Sequence, residues 1–173
     1  TTKCLSGMNR NSNYRLIFKI GVSMSRSKKI TKILFLCVAN SARSQMAEAI
    51  AKRILPPSID VKSAGSRPGK AVHPSAIHSL ADLDTEISLA LPKSVDSLPG
   101  GFLNKDCLVI RLCAEEECPI VARDIEVLDW SLPDPAHPSS GDTITAFSET
   151  RTALFERISK LKSELYGLLM TFK

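Results

Sequence analysis

The apolar positions of the chain fall into short blocks with different periods. Ile33-Leu34-Phe35-Leu36 is a continuous apolar run, the pattern of a strand buried on both faces of a sheet. Between Ser44 and Leu55, the residues Met46, Ile50 and Ile54 recur every four positions. That spacing predicts a helix with one apolar face, stopped by Pro56-Pro57. Asp60 to Ser63 reads as a second short strand ending at Ala64-Gly65, and Pro74 to Leu83 as a helix with proline in its first turn. Leu108 to Leu112 and Ile125 to Leu128 read as a third and a fourth strand. From Thr143 to about Leu169, the residues Phe147, Leu154, Ile158, Leu161 and Leu165 are spaced seven, four, three and four apart. This is the clearest helix of the chain, and Asp142 is placed to cap its start.

Strands that alternate with helices predict an open α/β fold, a three-layer sandwich around a four-stranded parallel sheet covered on both faces. Ligands of such folds bind beyond the carboxyl ends of the strands. The chemistry is therefore expected at the ends of strands one, three and four. Residues 1–30 lack this regularity and read as a basic, disordered tail, leaving 31–173 as the folded domain. The acid-free, Arg- and Ser-rich tail resembles a transit peptide. The reading preferred here is an upstream extension, with translation starting at Met24.

Charge alters the picture only after it is divided. The net charge is +5, but residues 1–32 carry eight Lys and Arg and no acid, so the rest of the chain is net −3. The basic balance belongs to the tail, and no basic face for nucleic acid is demanded of the domain. No apolar run is long enough to span a membrane. Hydrophobic residues make up 43% of the chain and aromatics only 5%, so the core is expected to be aliphatic. The cysteines are five, Cys4, Cys37, Cys107, Cys113 and Cys118. An odd number with no clear secretory signal fits a reducing, cytoplasmic setting rather than a disulfide scaffold.

The segment Cys37-Val38-Ala39-Asn40-Ser41-Ala42-Arg43-Ser44 joins the first strand to the first helix. Unpaired N–H groups at a helix start attract anions, and a loop wrapped round that point presents several of them to one oxyanion. Arg43 adds a forked, permanently charged donor. The same field favours the thiolate of Cys37, the form that acts as a nucleophile. The hydroxyl of Ser44 is placed to donate to it, and Asn40 is suited to a left-handed turn in the loop. The alternative, a buried inert cysteine beside a surface arginine, does not account for this placement between strand and helix.

Two further groups stand at strand ends. Asp134 lies between Pro133 and Pro135 after the fourth strand, on a stiff loop where an acid can donate a proton to a leaving oxygen. An ordinary Pro-Asp-Pro surface turn is the plainer alternative. Cys113 ends the third strand, and Cys118 follows after Ala114-Glu115-Glu116-Glu117. Such a pair can bind zinc, be inert, or form a redox couple. There is no second cysteine pair, and two of the three histidines, His73 and His137, adjoin prolines, which weakens the zinc reading. Cys107 opens the third strand and is expected to be buried far from the loop.

The Cys37-x5-Arg43-Ser44 signature after a first strand resembles the low-molecular-weight protein tyrosine phosphatases. Its continuation Gln45-Met46-Ala47-Glu48 is similar to the thioredoxin-coupled arsenate reductases of that fold. The resemblance covers about residues 31–165 and includes Ser63-Ala64-Gly65-Ser66-Arg67-Pro68, Val72-His73-Pro74 and Asp134-Pro135-Ala136. The phosphatases usually have proline at Gln45, a second cysteine at Ala42, and an aromatic residue at Ala136 to stack on a tyrosine ring. These departures point to the reductases.

The resemblance implies a mechanism. Cys37 attacks arsenate, Asp134 protonates the departing oxygen, and Cys113 attacks Cys37 as arsenite leaves. Cys118 then takes over the disulfide from Cys113, and thioredoxin, or a glutathione/glutaredoxin-type donor, restores the thiols. No metal or organic cofactor enters the chemistry, and the partners are an arsenate or phosphate oxyanion and the thiol donor. A monomer is expected, with no nucleic-acid or membrane partner. The shorter spacing between Cys113 and Cys118 than in several family members leaves the donor open. In some members a potassium ion stabilises the loop, and the matching positions are Asn40, Glu48, Ser63 and Asp96. Otherwise Glu48 reads as a solvent-facing helix residue. A phosphatase using the same Cys37, Arg43 and Asp134, with water resolving a phosphocysteine, is the second enzymatic reading. A non-enzymatic anion-binding or redox-sensing module is the third.

Overall fold

A computed structural model describes residues 29–83, 85–113, 124–139 and 141–170. Its order is β1 (Lys32–Cys37), α1 (Arg43–Ile54), β2 (Asp60–Gly65), α2 (Pro74–Ser79), β3 (Cys107–Cys113), β4 (Glu126–Leu132) and α3 (Thr143–Met170), with short 3-10 turns between α2 and β3. The four strands form one sheet in the order β2-β1-β3-β4, and every neighbouring pair is parallel. The apolar run predicted for the first strand is its centre, and Ile33 to Leu36 are fully buried. Among the described residues no helix is long and apolar enough to cross a membrane.

The two faces of the sheet are covered differently. On one, Ile33, Phe35, Leu108, Ile110 and Leu128 pack with Met46 and Ile50 of α1 and with Phe147, Leu154, Ile158 and Leu161 of α3. These include most of the helix positions picked out by spacing. On the other, Leu34, Leu36, Cys107 and Val109 are covered by Phe102, with Val95, Leu98 and Leu103 packed against them. Among the described residues this third layer is a 3-10 turn followed by turns and bends, not a long helix. The ammonium groups of Lys32 and Lys62 lie over the Phe102 ring, 5.7 and 5.5 Å from its centroid.

Element bounds differ from the sequence expectation at several places. The second helix ends at Ser79 and is followed by a separate 3-10 turn at Ala81–Leu83. The Ser79 hydroxyl folds back onto the Ala76 carbonyl at 3.0 Å, a local bond that competes with helix continuation. The fourth strand runs on to Leu132, four residues past Leu128. Trp130 packs towards Phe35, with ring centroids 6.2 Å apart, and Leu132 is buried, so tertiary contacts extend the strand beyond its apolar block. The first helix begins at Arg43, one residue early. Asp142 does cap α3, its carboxylate accepting from the N–H of Ile144 at 3.0 Å and from Thr145.

The segment after β2 returns across the loop that follows β1. At Gly65 an added Cβ would lie 2.4 Å from the Val38 carbonyl oxygen and 2.9 Å from the Asn40 nitrogen. Only glycine leaves room for that backbone. Gly65→Ala should therefore push the loop outward and cost about 1–3 kcal/mol, the usual range for overpacking, read as a lower melting temperature. A variant melting with the wild type would show that the two segments do not meet this closely.

Candidate active site

The loop 37–43 lies where the central strand meets α1, and its shape is set from behind. The carbonyls of Cys37, Val38, Ala39 and Ser41 accept from the N–H groups of Ser66 (3.3 Å), Arg67 (3.0 Å), Gly69 (2.8 Å) and His73 (2.7 Å). In a planar trans peptide the N–H of the next residue points opposite to the carbonyl. The N–H groups of Val38, Ala39, Asn40 and Ala42 are thereby turned to the inner side. Asn40 shows the result directly, because its N–H donates to Cys37 Sγ at 3.2 Å. Ala42, at the N-cap of α1, supplies no side-chain cap. The first N–H groups of the helix are thus left for an anion. The placement of Val38 to Ala42 at the strand–helix junction is as the sequence predicts.

Asn40 takes the left-handed turn, with φ +47°, and is the only described residue other than glycine at positive φ. All four hydrogen-bonding positions of its side chain are used. Its Nδ2 donates to Ser44 Oγ at 2.8 Å and Ser63 Oγ at 2.9 Å. Its Oδ1 accepts from Gln45 Nε2 at 3.0 Å and from the Lys93 backbone N–H at 2.8 Å. Gln45 also donates to the Leu91 carbonyl at 3.1 Å.

These bonds fix the direction of the one that matters for chemistry. Cys37 Sγ and Ser44 Oγ are 2.8 Å apart, and distance alone does not say which donates. Ser63 Oγ lies 2.6 Å from Glu48 Oε2 and donates to that carboxylate. With its proton committed there, Ser63 accepts from Asn40. Ser44 in turn accepts from the other Asn40 proton, which leaves its own hydroxyl proton to point at sulfur. The chain Glu48–Ser63–Asn40–Ser44 therefore ends in a donor aimed at a Cys37 thiolate. Cys37 itself is 3% exposed.

Glu48 anchors that chain. It is buried rather than facing solvent, as its helix position alone suggests. Burial pushes its carboxyl up, but the hydrogen bonds from Lys52 and Ser63 and the charges of Lys93 and Lys52 outweigh it and hold Glu48 below the ordinary range. It is the ionised, accepting form that orders the hydroxyls. The potassium ion expected at Asn40, Glu48, Ser63 and Asp96 does not fit these residues. The Lys93 ammonium lies 3.1 Å from Glu48 Oε2 and 3.5 Å from Ser63 Oγ, and Lys52 takes Glu48 Oε1 at 2.6 Å. Asn40 Oδ1 already serves two donors, and Asp96 is exposed on the next 3-10 turn. Sequence reasoning missed Lys93. It sits in an irregular stretch 53 residues from Asn40, with no periodicity or motif to mark it.

The remaining groups gather at the same edge of the sheet. Arg43 donates to the Leu132 carbonyl at 3.0 Å and approaches Asp134 Oδ2 at 3.7 Å. Asp134 also accepts from the Ala136 N–H at 3.2 Å, and His137 Nδ1 lies 3.3 Å from it. Neither the carbonyl contact nor His137 was foreseen. Cys113 ends β3, the strand beside β1. Leu36 pairs with Arg111, so Cys37 and Cys113 leave the sheet at the same end, on strands about 4.8 Å apart. Cys107 is buried at the opposite end of β3, level with Lys32, as expected. Cys118 and Cys4 lie outside the described residues.

Comparison with known proteins agrees with this geometry. Residues 32–167 match the family described as low molecular weight phosphotyrosine protein phosphatase. An arsenate reductase from Oceanobacillus iheyensis is 35% identical over 136 residues, 76% of this chain and 94% of that protein. Among solved structures, an arsenate reductase from Archaeoglobus fulgidus matches with a TM-score of 0.63 at 25% identity, covering 76% of this chain and 98% of that one. A thioredoxin-dependent arsenate reductase from Corynebacterium glutamicum matches with a TM-score of 0.61 at 28% identity, over 81% of this chain and 64% of that one. Sequence and fold thus lead to one assignment: the chain belongs to the low molecular weight phosphotyrosine protein phosphatase family, and the relatives it resembles there are arsenate reductases.

Proposed function

We propose that the protein is an arsenate reductase in which Cys37 is the nucleophile and Cys113 and Cys118 carry the oxidising equivalents away. The observation that supports the reading is that Cys37, in the loop after β1, and Cys113, at the end of β3, leave neighbouring strands at the same end of the sheet. A phosphatase needs only the first.

Arsenate enters the ring of inward N–H groups, with the Arg43 guanidinium turning from the Leu132 carbonyl to two of its oxygens. The Cys37 thiolate attacks arsenic, and Asp134 protonates the oxygen that leaves as water. The Cys113 thiolate then attacks Cys37 sulfur. The electron pair of the S–As bond passes to arsenic, arsenic(V) becomes arsenic(III), arsenite departs, and a Cys37–Cys113 disulfide forms. Attack by Cys118 on Cys113 returns Cys37 to its thiolate and leaves a Cys113–Cys118 disulfide. A thioredoxin-type dithiol reduces that bond, as the Corynebacterium relative's dependence suggests. The site is read as working in a monomer in the reducing cytoplasm.

Replacing Asp134 with Asn should slow the chemical step by about 10²–10⁴-fold while oxyanion affinity changes little. Single-turnover arsenate reduction measures it, and an unchanged rate would remove Asp134 from the mechanism.

Cys118→Ser should release one arsenite per protein, stop, and retain a Cys37–Cys113 disulfide. Cys113→Ser should fail even in that first cycle when no small thiol is present. Mass spectrometry after one equivalent of arsenate reads the disulfides. If both variants turn over arsenate normally with thioredoxin, the relay is wrong. Hydrolysis of p-nitrophenyl phosphate that survives both changes, with no arsenate reduction by the wild type, would make the protein a phosphatase.

A further inference from the structure

Lys93 touches the relay that orients Ser44 at two separate points. Its backbone N–H donates to Asn40 Oδ1 at 2.8 Å, and its ammonium reaches Glu48 Oε2 and Ser63 Oγ. The backbone around it is fixed to the loop's support as well. The Lys93 carbonyl accepts from the Gly65 N–H at 2.9 Å, and Ser94 forms a parallel bridge with Gly65. Gly65 is the residue over which the oxyanion loop passes. The side chain of Lys93 is 31% exposed, against 59% for Lys52, the other cation on Glu48. Lys52 approaches the outer oxygen, Oε1, from the same helix. Lys93 approaches Oε2, the oxygen that also receives the Ser63 hydroxyl.

We infer that Lys93 is a tethered internal cation that does the work of a bound monovalent ion at this loop. It keeps Glu48 ionised and in place, so that Ser63, Asn40 and Ser44 stay ordered towards Cys37. Lys93 is a positioning residue, since it acts on Cys37 only through Glu48, Ser63 and Asn40. Oxyanion binding by this protein is then indifferent to potassium. Removing the ammonium uncovers one carboxylate oxygen and one hydroxyl beside an anionic centre, a setting that a small cation can enter. The inference rests on Cys37 lying in an oxyanion loop, as the proposed function holds, but not on which oxyanion is reduced.

The test uses the full chain and inorganic phosphate as the probe, with no reduction step. Protection of Cys37 from iodoacetamide gives the phosphate affinity, and the pH profile of unprotected alkylation reports the thiolate. Each is measured in potassium chloride and in tetramethylammonium chloride at equal ionic strength. The wild type should bind phosphate equally in both salts. Lys93→Met should bind phosphate about tenfold more weakly in tetramethylammonium, the lower end of what losing an outer supporting partner costs at metal sites, with its alkylation profile moved to higher pH. Potassium should recover most of that loss, and Lys93→Arg should behave as the wild type without it. A wild-type affinity raised by potassium would overturn the inference. So would a Lys93→Met variant with unchanged affinity, or one whose loss potassium does not touch. If Lys93→Met does not fold, the wild type's salt response and the Lys93→Arg variant still decide it. Failure of arsenate reduction in the wild type, with these phosphate results intact, would overturn the reductase reading alone.

Discussion

The carboxamide of Asn40 is the joint on which the site depends. The residue pays for a left-handed backbone that most side chains avoid, and every polar atom of its amide is used to hold that conformation. On one side it fixes the loop, through its own N–H at Cys37. On the other it fixes Ser44, in the first turn of α1. An oxygen and a nitrogen at one site can both be satisfied only in one orientation, so the amide also sets the direction of the hydroxyl protons around it. Neither aspartate nor serine at this position could donate to two hydroxyls and accept two N–H groups at once.

Fold and chemistry meet in the strand order. The chain passes from β1 to β2 on one side and then to β3 on the other. This opens a crevice at the carboxyl end of the central strand, the usual ligand position in open α/β sheets. β1 delivers Cys37 there, and the turn after β2 covers the loop from behind. His73 extends that cover, since its N–H holds the Ser41 carbonyl while its ring stacks on Phe147 of α3, with centroids 4.8 Å apart. The loop after β1 is thus braced by the core through α3.

What could be read in the sequence was local or periodic. The apolar run 33–36, the four-residue spacing of α1 and the long stripe of α3 report directly which faces are buried. Cys37 and Arg43 are legible because loop chemistry and helix start are contiguous. What could not be read depends on distant partners. Nothing near Glu48 says whether it faces solvent or core, because that is decided by Ser63 and Lys93. The potassium ligand set was carried over residue by residue, while Lys93, whose ammonium lies on Glu48 and near Ser63, comes from a stretch with no pattern. The strand β4 was cut short because Trp130 and Leu132 are held by contacts with other elements, not by their own alternation.

The proposed relay asks that Cys37 be held while Cys113 moves, and the two stand at the ends of neighbouring strands. Around Cys37 the bonds are dense and the sulfur is nearly sealed. At the end of β3 the ladder is irregular instead, with Cys113 still paired to Leu132. Arg111 is pinned to Asp129 by a two-pronged ion pair, Nε to Oδ1 at 2.5 Å and Nη2 to Oδ2 at 2.6 Å. Beyond that pair the register with β4 shifts between Arg111 and Cys113. A register shift at a strand end re-aims the side chain that follows it. The ion pair sits at the last aligned step of β3 and β4, immediately before that shift, and Cys113 follows it with its carbonyl accepting from Ser131 Oγ at 3.2 Å.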